Sequence, residues 1–305
     1  MQYNDLINYN LSVLVKKYKK TDVFKTRAYS KALLEVPKTP ILTIEDVKHV
    51  GGAKTQQKLQ YLLKNNKNLE EVDEYLKNDT YAIIDTLQTI HGIGPAKAKD
   101  LYENHNIRSI EDLRSNHNLL NNIQQIGLNY FEHITKKIPY KEMVKHEDFL
   151  KMHVTDFDFT IAGSYRRKAN QSSDIDILLT GNTNMLNKLI NILTQKNYID
   201  FENVLAHGEV KFMGLCKLPK HKTYRRIDIL YTPPHEYPFA LLYFTGNFKF
   251  NVDMRRHATS MGLSLNEQSL TYIENKQSVN HTFKTEKDIF EYLNYTYVEP
   301  EKRSI

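Results

Sequence analysis

Two short apolar segments about fifty residues apart each carry carboxylates, and they constrain the fold of this chain more than any other feature. The first is Asp174-Ile175-Asp176-Ile177-Leu178-Leu179-Thr180; the second is Arg225-Arg226-Ile227-Asp228-Ile229. Runs rich in isoleucine and leucine at this length predict buried strands. Acids spaced i, i+2 on a strand face the same way. Neighbouring carboxylates repel unless a cation lies between them, and burying them unpaired is costly. Asp174, Asp176 and Asp228 therefore predict adjacent strands whose acids converge on a hard divalent ion with oxygen ligands. Mg²⁺ suits such a site because it keeps places for phosphate oxygens. Two ions roughly 3.5–4 Å apart would stabilise the attacking and leaving oxygens of an in-line displacement. An isolated Asp-x-Asp also occurs as a plain acidic pair at a strand end. Gly163-Ser164-Tyr165-Arg166-Arg167, beginning eleven residues before Asp174, shifts the balance. Glycine permits close approach to a phosphate, backbone N–H groups and Ser164 donate to it, and Arg167 offers a planar fork. The combination points to nucleotidyl transfer from a nucleoside triphosphate.

At 305 residues the chain is long enough for two or three domains. A mean hydropathy of -0.57 and the lack of an apolar run near twenty residues exclude a membrane-spanning helix. The start, Met1-Gln2-Tyr3-Asn4-Asp5, lacks the basic-then-apolar layout of a secretory signal. One cysteine, Cys216, excludes an internal disulfide and a cysteine zinc cluster, and favours a reducing compartment. The net charge of +6 is uneven: residues 1–67 carry thirteen Lys+Arg against five Asp+Glu, and the remaining 238 residues sum to -2. A basic module on a near-neutral body suggests a polyanionic partner, the alternative being a solvated lysine-rich face.

The fold class expected is α+β. Residues 1–77 read as short helices, with Leu6, Ile7, Leu11, Leu14 and Val15 at helical spacing and a further helix from Thr55 to Leu63. Residues 78–138 again read as helical: Tyr81 to Leu87, Ala96 to Tyr102 after a glycine turn, and a short helix after Ser109. From residue 139 strands enter, at Phe157–Ala162, Ile175–Thr180, Lys211–Leu218 and Arg226–Tyr231, with helices ending at Met152 and spanning Met185–Lys196. Residues 235–305 predict a helix from Phe239 to Gly262 broken at Thr245-Gly246, then short strands and a helix at Asp288–Tyr295. The expected organisation is thus four segments, 1–77, 78–138, 139–234 and 235–305.

Val50-Gly51-Gly52-Ala53-Lys54 and Gly92-Ile93-Gly94-Pro95-Ala96-Lys97 are both glycine turns opening a lysine-bearing helix. Such turns leave backbone N–H groups and a helix N-terminus facing one way, which suits a DNA phosphate without reading sequence. Lys54 and Lys58 are spaced i, i+4, where like charges repel. Repulsion favours a neutral amine, a nucleophile for an aldehyde. The residues alone leave open whether these lysines are reactive, bind phosphate or are merely solvated.

Over almost its whole length the chain resembles the family X DNA polymerases of the beta type. The segments that carry the resemblance are those around Gly163, Asp174 and Asp228, together with Lys211-Phe212-Met213-Gly214 and Leu242-Tyr243-Phe244-Thr245-Gly246. Phe250-Asn251, Met254-Arg255, Asn266-Glu267, Glu286-Lys287-Asp288-Ile289-Phe290, Glu299-Pro300 and the central His91-Gly92-Ile93-Gly94-Pro95 also match, as does Gly127-Leu128-Asn129-Tyr130-Phe131. The resemblance implies an N-terminal lyase-like domain with helix-hairpin-helix elements before a nucleotidyltransferase palm and a nucleotide-selection subdomain. It implies Asp174, Asp176 and Asp228 as metal ligands, with Ser164, Arg167 and the backbone at Ser173 on the triphosphate. Tyr243, Phe244, Thr245 and Gly246 would line the sugar pocket; Phe248, which departs from the family's pattern, is expected to stack on the incoming base. Asn251 and Arg255 would reach the minor-groove side of the nascent pair, and Arg226 the primer end. Lys58 matches the Schiff-base lysine, with Lys25, Tyr29 and Lys54 around the 5′-phosphate. Backbone carbonyls of Ile90 and Ile93 would hold a monovalent cation, Na⁺ or K⁺, in a hairpin whose Gly92 and Gly94 face DNA.

The chain departs from the family's pattern at several places. Val50-Gly51-Gly52 stands where Gly-h-Gly is usual, Asn247 follows Gly246 in place of serine, Phe248 replaces a common acid and Val252 a template-side lysine. The residue after Gly246 leaves open whether the family's unusual peptide geometry persists. Leu230 replaces an arginine that competes for a metal-binding aspartate, and its loss is expected to ease closing.

The function expected is a monomeric DNA-directed DNA polymerase filling short gaps in base excision repair. It would use two Mg²⁺ ions, which Mn²⁺ can replace, with a second, 5′-deoxyribose-phosphate lyase activity through Lys58. Gapped or nicked duplex DNA and dNTPs are the implied partners, with no membrane. The rival expectations are a template-independent nucleotidyltransferase and a non-catalytic DNA-end-binding scaffold. The location expected is intracellular: the nucleus for a cellular enzyme, cytoplasm or virion for a viral one. No BRCT-like extension is read.

Overall fold

The structure, a computed structural model, describes residues 3–19, 21–37, 39–77, 79–155, 157–181 and 185–303. Met1-Gln2, at the head of the segment read for a signal, lies outside them. The chain divides into two compact units, Met1–Leu119 and Leu120–Ile305.

The first unit is helical: α1 (Asn4–Tyr18), α2 (Val23–Glu35), α3 (Ala53–Asn65), α4 (Glu70–Lys77), α5 (Asp79–Leu87), α6 (Pro95–His105) and α7 (Ile110–Ser115), with a 3-10 turn at Ile44–Val47. The apolar positions with helical spacing form the core of its first half. Ile7, Leu11 and Leu14 of α1 pack with Ala32, Leu59, Leu62 and Val72 of the next three helices. Asp22 caps α2, its carboxylate accepting from the Lys25 N–H at 2.9 Å. Asn10 is the one fully buried amide of α1 and acts as a staple. Its side chain donates to Leu6 O and Asn68 Oδ1 and accepts from Leu69 N–H, at 2.9, 3.0 and 2.9 Å. The turn into α4 is thereby fixed against α1, because unmaking these bonds would leave buried polar groups unpaired.

The second unit contains α8 (Asn122–Asn129), α9 (Phe131–Ile134), α10 (Tyr140–His153), α11 (Gly163–Arg166), α12 (Met185–Gln195), α13 (Tyr237–Thr245), α14 (Phe248–Ser260) and α15 (Glu286–Tyr292). Its strands are β1 (Ile138–Pro139), β2 (Asp158–Ile161), β3 (Gln171–Ser172), β4 (Ile175–Thr180), β5 (Ile199–His207), β6 (Lys211–Cys216), β7 (Arg225–Thr232), β8 (Leu263–Leu265) and β9 (Leu270–Tyr272). Five form a mixed sheet in the order β2-β4-β7-β6-β5, in which only β4 and β7 are parallel. An α+β fold with a helical N-terminal region is therefore what the chain adopts. One face of the sheet is apolar: Ile175, Ile177, Leu179, Ile227 and Ile229 pack in one core with Leu150 of α10 and Leu189 of α12. Arg225 lies on this face too, 3 % exposed, with its guanidinium forked onto Glu142 of α10 at 2.7 and 2.8 Å and donating to Lys136 O at 2.8 Å. The opposite face carries Leu178 and Leu230 in a small cluster with Ala162, Ala240 and Phe244. A third core unites α13, α14, α15 and the β8-β9 hairpin.

Strand β5 and the two-residue pair β1-β3 were absent from the sequence expectations. Asp200, Glu202 and Asn203 interrupt the alternation of β5, which an edge strand tolerates because one side faces solvent. Asp174 sits one residue ahead of β4 rather than within it.

Candidate active sites in the two units

Parallel pairing sets Asp176 of β4 directly opposite Asp228 of β7. Both share the face of Leu178 and Leu230, away from the main core, and Asp174 joins them from the bend before β4. One carboxylate oxygen from each of the three acids lies within 4.8 Å of the other two, and all three residues are half-buried. Burial and the nearby Asp228 push the Asp176 carboxyl up to about 6, against the pull of Arg167 and Lys211. The donor set is all oxygen and carries excess negative charge, which fits a hard divalent cation. Arg226 currently supplies countercharge: it pairs with Asp174, and its Nε lies 3.3 Å from Asp228 Oδ1. No arginine stands at position 230; Leu230 packs in the small apolar cluster, and Arg226 makes the contact with the acids instead.

Gly163 begins α11 with φ of 58°, and a Cβ there would run into the Asp176 carboxyl. Only glycine fits both requirements. Ser164 Oγ donates to Ser172 Oγ at 2.9 Å, and Ser173 Oγ accepts from Lys137 at 2.6 Å. Arg167 donates to the Thr245 carbonyl at 2.6 Å, tying α11 to the end of α13. There the Gly246–Asn247 peptide is cis. Asn251 donates to the Tyr243 carbonyl at 2.8 Å, and the Arg255 guanidinium lies 4.8 Å from the Tyr243 ring centre. Phe244 lines a cavity of about 110 Å³ with Asp176, Asp228 and Lys211. Phe248, at the start of α14, is 75 % exposed.

The predicted lysine site lies in the first unit. Lys25, Tyr29, Lys54 and Lys58 line one pocket of about 450 Å³, joined by Tyr18. Lys58 pairs with Glu71 of α4, and Tyr18 Oη donates to Glu71 Oε2 at 2.8 Å. Burial opposes ionisation of Glu71, but the bonds from Lys58 and Tyr18 prevail and hold its carboxyl below the usual range. Burial pushes the Tyr29 phenol up to about 12.

The two glycine turns differ in detail. Gly92 has φ of 83° two residues before Gly94, the N-cap of α6, and Ile93 N–H bonds the Ile90 carbonyl at 3.1 Å. In the first turn the positive φ, 68°, falls on Gly51, directly before the N-cap Gly52 of α3. Gly51 N–H is taken by Glu35 at 2.7 Å. The shift follows from Val50, whose side chain disfavours the left-handed region.

Sequence reasoning missed three contributors. Glu71 lies in an acidic run that reads as a solvated face. Lys211 was noted only as part of a matching segment. The third is a set of bonds in which Arg166 donates to Thr245 Oγ1 and Glu286, 2.6 and 2.5 Å, and the buried Arg303 donates to Glu286, 2.7 Å, which ties α11 to α15.

Against this geometry, family models match in chain order. The fingers domain of DNA polymerase lambda matches residues 85–135, the DNA polymerase beta palm 137–234 and the DNA polymerase beta thumb 240–304. The chain belongs to the family X DNA polymerases. It is 28 % identical to DNA polymerase lambda of Rattus norvegicus, over 99 % of this chain and 56 % of that protein. It is likewise 28 % identical to DNA polymerase lambda of Arabidopsis thaliana, over 91 % of this chain and 58 % of that protein. A DNA nucleotidylexotransferase of Xenopus laevis is 26 % identical over 87 % of this chain and 61 % of its own length. The chain spans less than two thirds of these curated relatives. They include lambda enzymes, so the likeness stands at the level of the family and not of the beta polymerase in particular.

Proposed function

We propose that this chain is a DNA-directed DNA polymerase that fills short gaps during base excision repair and also removes 5′-deoxyribose phosphate. The observation that carries the first activity is the register of β4 against β7, which brings Asp176 and Asp228 face to face with Asp174 beside them. Two Mg²⁺ ions, or Mn²⁺, held by these three acids would supply the positive charge that an in-line displacement at the α-phosphate of a dNTP demands. The protein's own groups do the positioning. Ser164, Arg167 and the backbone at Ser173 bind the triphosphate; Tyr243, Phe244 and Gly246 wall the sugar; Phe248 stacks on the base. Arg226 leaves the acids for the primer end, and Asn251 and Arg255 face the nascent pair.

The second activity is supported by the pocket at Lys58, which Lys25, Lys54 and Tyr29 also line; these three would receive the 5′-phosphate. Gly92 and Gly94 would contact the DNA backbone, and the Ile90 and Ile93 carbonyls would hold a monovalent cation. Gapped or nicked duplex DNA is the substrate, a monomer the working form and an intracellular compartment the setting.

Two substitutions test both halves in one chain. Asp228→Ala should abolish dNTP incorporation on a one-nucleotide gap while leaving borohydride trapping on an incised abasic site intact. Lys58→Ala should do the reverse. Persistent extension by Asp228→Ala overturns the polymerase assignment. The relative named DNA nucleotidylexotransferase favours one second reading, untemplated addition. Equal extension of a single strand and a gapped duplex would select it.

A further inference from the structure

We propose that Glu71 is the general base of the lyase reaction; the proposal rests on the lyase reading above and extends it. An ammonium is not a nucleophile, so Lys58 must give up a proton before it can attack an aldehyde. The carboxylate in contact with its Nζ is Glu71, thirteen residues on and in a different helix. The described residues that line the pocket include Gln57 but no carboxylate. Asp22 lies nearer to Lys25, at 3.7 Å from its Nζ. Tyr18 and Tyr29 have phenols raised by burial, so they are protonated donors at neutral pH. Glu71 is also aimed. Oε2 is taken by Tyr18, which leaves Oε1 on Lys58. Lys17 donates to the Glu71 main-chain carbonyl at 3.0 Å, and Asn10 fixes the preceding turn through Leu69. The Lys58 and Glu71 side chains are 25 % and 22 % exposed; Lys58 lines the pocket, and Glu71, outside that lining, meets it through Lys58 Nζ.

The step balances without any further reagent. Glu71 takes the Lys58 proton, and the amine adds to C1′ of the ring-opened sugar. The carbinolamine expels water, protonated by Glu71, to give an iminium. Glu71 then removes a proton that the iminium has acidified from C2′, two bonds from Nζ. The C2′–H electrons form C2′=C3′, and the C3′–O bond breaks with its electron pair on the departing 5′-phosphorylated strand. Water hydrolyses the conjugated iminium, freeing Lys58 and an unsaturated aldehyde.

The experiment uses the full chain and a duplex with an incised abasic site bearing 5′-deoxyribose phosphate. It reads the plateau of borohydride-trapped adduct and, separately, single-turnover release of the 5′-phosphorylated strand. Glu71→Gln is expected to slow release by about 10²-fold while adduct accumulates at or above the wild-type plateau. Resistance of the helical first unit to limited proteolysis, matched to wild type, reports that the variant is folded. Parallel loss of adduct and release marks a purely structural pair and overturns the proposal, as does wild-type release by the variant. Absence of adduct from the wild-type chain overturns the lyase reading itself, and this proposal with it. Should Glu71→Gln not fold, Glu71→Asp must show the same split, and equal losses in both readouts sink the idea.

Discussion

In the N-terminal unit a lysine is neutralised by a carboxylate from the following helix. In the C-terminal unit two carboxylates, Asp228 two positions along β7 and Asp174 ahead of β4, are neutralised by Arg226. Both pairs are partly exposed, with Lys58 and Arg226 at 25 % and 29 %. Pairs at such positions contribute little to stability, about 0–1 kcal/mol. A ligand of the right charge can therefore displace the internal partner at small cost. Arg225 is the counterexample one residue away from Arg226. It points to the opposite face of the sheet, is almost fully enclosed, and has both guanidinium forks and a carbonyl satisfied. Adjacent arginines thus serve different ends because a strand alternates its faces.

The strongest test of that contrast is Arg225→Met. It removes the enclosed guanidinium and leaves Glu142, 19 % exposed, and the Lys136 carbonyl without it, so the C-terminal unit should lose about 3 kcal/mol in chemical denaturation. A loss below about 1 kcal/mol would dissolve the distinction between enclosed and displaceable pairs. His146 faces the same enclosed cluster, with Nε2 at 3.8 Å from Glu142 and Nδ1 bonded to Tyr198 at 2.7 Å. Burial pushes its imidazole down to about 4, so it is neutral in the folded chain at pH 7. The unfolded chain binds this proton near 6.5, before the folded chain does. Stability is therefore complete above 6.5 and falls, by roughly 3 kcal/mol, as the pH drops to 4. His146→Gln should flatten that segment of the stability–pH curve; an unchanged slope assigns it to other groups.

Gly163→Ala sharpens the comparison from the acid side. Its methyl group displaces the Asp176 carboxyl, so incorporation should fall on the order of 10²-fold. Adduct formation at Lys58 should stay at wild type. The smallest effect expected is in the stability of Glu71→Gln, under about 1 kcal/mol by thermal or chemical melting. A larger loss would move that pair into the class of Arg225 and Glu142.

The acids at 174, 176 and 228 are legible in the sequence because apolar neighbours force a strand and a strand forces a common face. The lysines are legible through helical spacing and family resemblance. Glu71 is not, since Glu70-Glu71 and Asp73-Glu74 look alike on paper. Asn10 and Tyr18, both more than fifty residues earlier, decide which acid turns inward. The resemblance implies Arg226 at the primer end, but its bond to Asp174 spans fifty-two residues and exists only once β4 and β7 are paired. Strand β5 was hidden for a related reason: its polar residues make sense only at a sheet edge.

The parallel pairing of β4 with β7 has one more consequence. Sliding β7 by a single residue would turn Asp228 into the oily interior and present Ile227 or Ile229 to the acids instead. Every strand could still hydrogen-bond, so such a molecule would pass for native by secondary structure alone. Correct alignment of one ribbon, not mere compactness, decides whether a copy of this chain can be competent.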